Sequence, residues 1–242
     1  MILLFTDFGL SGPYTGQMKA VLAQQAPAIP VIDLFADAPA FDPQLSAYLL
    51  AAYAPAFPAG SVFLCVVDPG VGTDRRPVMV EADGRWFVGP DNGLFALIAR
   101  RATSLNAWTI DWIPERLSAS FHGRDLFAPV AAGLATGRPV QRSPLPAAAI
   151  DRPDWPDELA RIVYVDVYGN AMTGMRASTL PADAVLTAAG TRIARARTFG
   201  AVGPGEPLWY ENSNGLAEIA VNRGRADHAL DLKVGDAVTV EA

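Results

Sequence analysis

Four short polar stretches stand where apolar runs end, and each sets a charged or hydrogen-bonding group beside glycine or proline. They are Thr6-Asp7-Phe8-Gly9, Asp68-Pro69-Gly70-Val71-Gly72 with Arg75, Pro90-Asp91-Asn92-Gly93, and Phe121-His122-Gly123-Arg124-Asp125. Carboxylates, an imidazole and a guanidinium are the groups that move protons and stabilise developing charge in reactions of small molecules. Taken singly, each stretch has a plain structural explanation. Asp7 can cap a helix, Asp91-Asn92-Gly93 is ordinary turn chemistry, and a loop histidine is often surface decoration. Four such loops at strand ends point instead to one shared crevice, because open α/β sheets bind ligands beyond the carboxyl ends of their strands. Two later stretches, Asp166-Val167-Tyr168-Gly169-Asn170 and Glu211-Asn212-Ser213-Asn214-Gly215, carry Asn, Asp and Ser side chains that in isolation would satisfy their own backbone.

Other chemistries are excluded by what is missing. There is no G-x-x-x-x-G-K-[ST] loop, no G-x-G-x-x-G after the first strand and no G-x-S-x-G elbow. Two histidines and one cysteine are too few soft ligands for a dedicated zinc site, so no metal is expected. A formal net charge of −6 argues against a nucleic-acid binder. Cys65 is the single cysteine, which rules out an internal disulfide, and it sits inside an apolar run as a small core residue; this fits a reducing cytoplasm. No apolar run approaches the roughly 20 residues of a membrane span, so no membrane partner is expected, and Met1–Phe5 reads as a first strand rather than a signal peptide.

The elements that must position these loops follow from periodicity. Ile2–Phe5, Val31–Leu34 and Ser61–Val67 read as buried strands. Helical spacing runs over Tyr14–Gln25 and after Asp42-Pro43, where Leu45, Leu49 and Tyr53 share a face. A hairpin is expected around Asp83-Gly84, then helices over Leu94–Arg101 and Leu126–Leu134. Strands alternating with helices make residues 1–137 an α/β domain with a mainly parallel sheet. Prolines 139, 144, 146, 153 and 156 mark 138–159 as a linker. Short strands between Gly, Asn and Asp turns then make 160–242 an all-β domain, a small barrel or a sandwich.

In their order along the chain, Thr6-Asp7-Phe8-Gly9, Gly16 with Met18-Lys19, Val67 to Gly72, Gly89 to Leu94, Phe121 to Asp125, Tyr168-Gly169-Asn170 and Asn212-Ser213 resemble the S-adenosyl-L-methionine hydroxide adenosyltransferases, relatives of the fluorinases and chlorinases. The resemblance runs from residue 2 to about 240. It implies a Rossmann-like amino-terminal domain, a carboxyl-terminal β-barrel and a homotrimer whose active sites lie between subunits. The implied reaction is S-adenosyl-L-methionine plus water giving adenosine and L-methionine, with the sulfonium as substrate and no cofactor. Asp68, Arg75 and His122 match the catalytic positions. Asp7 matches the carboxylate that holds the ribose hydroxyls, and Phe41 falls where the halogenases have a tryptophan. Asp166 falls near a carboxylate for the methionine amino group, Asn170 matches an adenine-binding asparagine, Phe199 an aromatic stacked on adenine, and Ser213 a residue near the methionine carboxylate. Asn92 and Tyr168, inside shared motifs, are carried over as substrate-binding positions. The halogenases differ in having tyrosine where this chain has Asp68 and serine where it has Gly123, so water is the expected nucleophile. The alternatives are a halide-using enzyme and a non-catalytic module that senses S-adenosyl-L-methionine or adenosine. Asn214 stands where the halogenases have arginine, leaving the methionine carboxylate without an evident cation.

Overall fold

A computed structural model describes residues 1–241, which divide into two compact units at Pro153/Asp154. The first unit is built on β1 (Ile2–Thr6), whose five side chains are all buried, followed by helix α1 (Tyr14–Gln25). Strand β2 (Val31–Phe35) leads to α2 (Pro43–Tyr53), and β3 (Val62–Val66) to the hairpin of β4 (Pro77–Ala82) and β5 (Arg85–Pro90). Helix α3 (Ala96–Arg101), strand β6 (Leu105–Ile110), helix α4 (Ala128–Ala135) and strand β7 (Arg142–Leu145) complete it.

Among the described residues, these strands form one seven-stranded sheet in the order β2-β1-β3-β5-β4-β6-β7. Strands β2, β1, β3 and β5 pair in parallel, β4 runs against both β5 and β6, and β7 runs against β6. Five of the seven strands therefore point the same way, and the order reverses at β1, which has β2 on one side and β3 on the other. Such a reversal opens a crevice at the carboxyl ends of the two flanking strands. Those ends are Thr6 and Val66, one residue before Asp7 and two before Asp68.

The apolar pattern explains the packing. Ile2, Leu4, Val62, Leu64 and Val66 turn one face of β1 and β3 onto Met18 and Leu22 of α1 and onto Val130 and Ala131 of α4. Asp42 caps α2 as its composition suggests: the Leu45 N–H donates to the Asp42 carboxylate at 2.9 Å, with Pro43 at the first helical position.

Two expectations for this unit change. Strand β2 is not buried, since Ile32 is 41% exposed; it is an edge strand, and an edge needs cover on only one side. The proline-rich stretch is not wholly a linker either. Arg142–Leu145 pairs with β6, and Pro144 is tolerated there because β7 lies at the sheet edge, where a missing N–H costs no ladder bond. Arg142 also lays its guanidinium 4.3 Å over the Trp108 ring.

The second unit holds a four-stranded antiparallel sheet in the order β12 (Pro207–Glu211), β13 (Leu216–Val221), β9 (Ala171–Arg176), β8 (Leu159–Val165), and a three-stranded one in the order β11 (Thr191–Ala194), β10 (Val185–Ala188), β14 (Val238–Glu241). These sheets do not close into the expected barrel. Among the described residues their edges are joined by isolated bridges, Arg161 to Ala237 and Arg195 to Trp209, and not by a continuous ladder. Trp209, fully buried, fills the space between them and donates its indole N–H to the Ala184 carbonyl at 2.8 Å. No helix among the described residues is long and apolar enough to cross a membrane.

Close approach of β5 to β3 depends on Gly89, where an added Cβ would lie 2.3 Å from the Cys65 carbonyl oxygen. Gly89→Ala is expected to separate the two strands and to lower the melting temperature far more than Asp42→Ala, whose lost cap costs about 1 kcal/mol. Thermal unfolding followed by circular dichroism measures both.

Candidate active site

Asp68, Arg75 and His122, distant in sequence, form one hydrogen-bonded chain in the first unit. The Arg75 Nε donates to Asp68 Oδ1 at 2.8 Å and to Oδ2 at 3.0 Å, and the Arg75 Nη2 also bonds Oδ2. The same Nη2 lies 2.9 Å from His122 Nδ1. The ion pair is almost free of solvent, with the Arg75 and Asp68 side chains 9% and 4% exposed. From the other side the Arg75 guanidinium rests 5.2 Å from the centre of the Phe127 ring. A guanidinium has donors but no acceptor, so Nδ1 must be the accepting nitrogen and neutral His122 carries its proton on Nε2.

Two loops hold this arrangement. The 67–76 segment leaves β3 and turns through Gly72, which has φ +78° and whose Cβ would lie 2.5 Å from the Ala119 carbonyl oxygen. Only glycine lets this loop lie so close to the 118–121 backbone. The second loop ends in a single wide helical turn over Gly123–Phe127, of the kind often found at functional sites. Asp125 ties that loop together: its carboxylate accepts the Ser118 N–H at 2.9 Å and the Arg124 Nε–H at 2.6 Å. Arg124 in turn donates to Gln17 Oε1 of α1 at 2.8 Å.

Above these residues opens a cleft of about 370 Å³ lined by Asp7, Phe8, Tyr14, Phe41, Val66, Asp68, Val71, Ser120, Phe121, His122 and Gly123. Asp7 accepts the Phe41 backbone N–H at 3.0 Å. That bond holds Phe41 in the left-handed region at φ +60°, a conformation disfavoured for a bulky side chain, with its ring 78% exposed. Phe8, Tyr14 and Phe121 form the wall, their ring centroids 5.4 to 5.7 Å apart. Residue type alone does not mark these three rings as site residues, although Phe8 and Phe121 flank Asp7 and His122 within the motifs. Asn92 takes a different place. Its amide donates to the Val67 carbonyl at 2.8 Å and its side-chain oxygen accepts the Leu94 N–H at 3.3 Å, so it buttresses the end of β3 and does not line the cleft.

In the second unit the remaining candidates lie on two turns, and Phe199 on a short helical segment, Phe199–Ala201. Asp166 Oδ1 accepts the N–H groups of Tyr168 at 2.9 Å and Asn170 at 2.8 Å, and Asp166 Oδ2 takes the Asn170 amide at 3.0 Å. This leaves Tyr168 73% exposed at the tip. Gly169, with φ +83°, permits a packing in which a Cβ would lie 2.4 Å from the Asp227 carboxylate. Ser213 donates to Asn214 Oδ1 at 3.0 Å, and the Phe199 ring stands 5.2 Å from that of Tyr210.

Burial is the main influence that pulls the His122 pKa below its ordinary value of 6.5, and the Arg75 charge adds to it, while Asp68 and Asp125 oppose it. Burial likewise raises Asp7 above the usual carboxylate range, with the Phe41 N–H partly offsetting it. His122 is therefore neutral at pH 7. As pH falls through about 6.5 the unfolded chain takes up this proton first, so the stability contributed by neutral His122 is full above that range and declines below it. A proton NMR titration should give His122 a midpoint below 6.5, and Asp125→Asn should move it lower still by removing a nearby negative charge. His228→Asn assigns the signals, since the chain has 2 histidines. A midpoint that rises in Asp125→Asn would contradict this electrostatic picture.

Comparison with known proteins agrees along nearly the whole chain. Residues 2–143 match the SAM hydroxide adenosyltransferase N-terminal domain, and residues 160–239 match the corresponding C-terminal domain. An (R)-S-adenosyl-L-methionine hydrolase of Thermus thermophilus is 42% identical over 257 residues, covering 97% of this chain and 96% of that protein. One from Salinispora tropica is 37% identical over 254 residues, covering 98% and 96%. The crystal structure of an uncharacterized conserved protein from Thermotoga maritima superposes with a TM-score of 0.86 at 30% identity, covering 100% of both chains. With both domain models matched and this identity over nearly full length, the chain belongs to the SAM hydroxide adenosyltransferase family.

Proposed function

We propose that this protein hydrolyses S-adenosyl-L-methionine to adenosine and L-methionine by direct attack of water at C5′. The observation that carries the reading is the chain Asp68–Arg75–His122, whose buried ion pair presents Asp68 and His122 to a cleft walled by aromatic rings, in a family whose relatives at 37 and 42% identity are named for this hydrolysis. The substrate's sulfur is positively charged and leaves as a neutral thioether, so no acid is needed to protonate it and no cofactor is called for. The enzyme has to supply a fixed ribose and a positioned, partly desolvated water.

The roles divide by donor and acceptor. Water oxygen forms the bond to C5′ as the C5′–S bond breaks and its electron pair goes to sulfur. Because Arg75 occupies His122 Nδ1, the His122 Nε2–H is a donor and orients the water by donating to its oxygen. Asp68 is then the group that accepts the water proton, while the Arg75 charge favours hydroxide character. Asp7 would hold the ribose hydroxyls, and Phe41, Phe8 and Phe121 would exclude bulk water.

Asp166, Tyr168, Asn170, Phe199 and Ser213 belong to the second unit, and we propose that they complete the site from a neighbouring copy in a homotrimer. Supporting this are the exposed apolar side chains each unit offers, Leu10, Tyr14 and Phe41 in the first and Val167, Tyr168 and Phe199 in the second. Light scattering should give three times the 25.6 kDa chain mass, and a monomer with full activity would end this part of the reading.

Incubation with S-adenosyl-L-methionine in oxygen-18 water should place the label in the adenosine 5′-hydroxyl. A 5′-halogenated product would indicate halide chemistry, and intact substrate a binding module. Asp68→Asn should lower kcat by about 10² to 10⁴, the usual worth of a positioned base, with KM little changed. Arg75→Lys should lose much of the activity too, since an ammonium cannot bond Asp68 through two nitrogens and His122 at once. An Asp68→Asn enzyme of undiminished kcat would refute the assigned base.

A further inference from the structure

Glu218 is a buried acid that the mechanism above does not use. It sits in the middle of β13, only 3% exposed, between Ala217 and Ile219, which face the core. Strand alternation turns Glu218 to the opposite face, the face of Tyr210 and Asn212 on β12 and the turn that follows it. Both of its oxygens are engaged. Oε1 accepts the Tyr210 hydroxyl, and Oε2 accepts the Asn212 amide at 2.8 Å. Each partner continues to a residue assigned to the substrate. The Tyr210 ring packs against Phe199 at 5.2 Å, and Asn212 Oδ1 accepts the N–H groups of Asn214 at 2.9 Å and Leu216 at 3.0 Å, closing the turn that carries Ser213. Burying a carboxylate is costly, and Asp166 lies near enough to add repulsion, so an apolar residue would pack here at lower cost.

We propose that Glu218 is a positioning residue for substrate binding: a single carboxylate that sets the adenine-facing aromatic pair Phe199–Tyr210 and the Ser213 turn at a fixed separation. This rests on the hydrolase reading for the roles of Phe199 and Ser213. The carboxylate suits the task because it accepts from two donors at once in one plane, which neither glutamine nor an apolar side chain does.

The test compares wild type with Glu218→Gln, Tyr210→Phe and the double variant, using S-adenosyl-L-methionine turnover and calorimetric binding of S-adenosyl-L-methionine and adenosine. Glutamine keeps the size but offers one accepting oxygen, so the Tyr210 hydroxyl must turn from donor to acceptor and both bonds lose their charge; KM should rise by about tenfold, the scale of one hydrogen bond to a charged group, with kcat within about threefold. Tyr210→Phe should give a smaller rise, and the double variant no more than Glu218→Gln alone, because the two changes remove one shared contact. An unchanged KM in folded Glu218→Gln overturns the proposal, as does a loss confined to kcat. If Glu218→Gln does not fold, Tyr210→Phe decides alone: it removes one oxygen, and an unchanged KM overturns the proposal. Intact substrate with the wild type refutes the hydrolase reading instead. The calorimetric dissociation constants then judge Glu218, with weakened binding in the variant supporting it and equal binding, or none in the wild type, overturning it.

Discussion

The first unit's chemistry depends on one shared donor, the Arg75 Nη2 that serves both Asp68 and His122. A guanidinium gives hydrogen bonds and takes none, so each group it touches is committed to accepting. That one fact selects the His122 tautomer and sends Nε2–H outward as a donor, and the Arg75 charge adds to the burial that keeps the imidazole uncharged. It also compensates Asp68, whose burial would otherwise raise its cost as an anion. Remove the arginine and buried Asp68 and half-buried His122 lose their partner together.

The backbone around this contact is arranged to make it reachable. The β1/β3 reversal places Asp7 and Asp68 side by side, Asn92 holds the end of β3, and Gly72 lets the Arg75 loop press against the loop that carries His122. The Asp125–Arg124–Gln17 links anchor that second loop to α1. Rigidity of this kind matters because a positioned water accelerates displacement only if its geometry is held. Phe41, kept in an unfavourable conformation by Asp7, shows the same logic at the rim of the cleft.

In the second unit, polar side chains first satisfy their own turns. Asp166 collects two backbone N–H groups and one amide, and Asn212 closes its turn in the same way. The consequence is that Tyr168 and Ser213 are presented outward on backbone held by these turns, while Glu218 ties the Tyr210 side to the Ser213 side.

Local pattern determined much by itself. The buried runs of β1 and β3, the Asp42-Pro43 helix start and the Asp83-Gly84 hairpin are written in neighbouring residues, because burial, capping and turn preference act over a few positions. The motifs around Asp7, Asp68, Arg75 and His122 likewise stood out as polar groups at strand ends. What the chain could not show locally depended on pairing between distant segments. Edge status exposed β2 and made room for Pro144 in β7; pairing that stops at isolated bridges left two sheets in place of a barrel. The same holds within the site. Residue type names Arg75 as a cation, but only its approach to both Asp68 and His122, 7 and 47 positions away, decides which nitrogen of the imidazole carries the proton. Asn92 moved from the cleft to a buttress, and Glu218 from an ordinary strand acid to a buried acceptor, for the same reason: hydrogen-bond partners are chosen by tertiary distance, which local sequence does not encode.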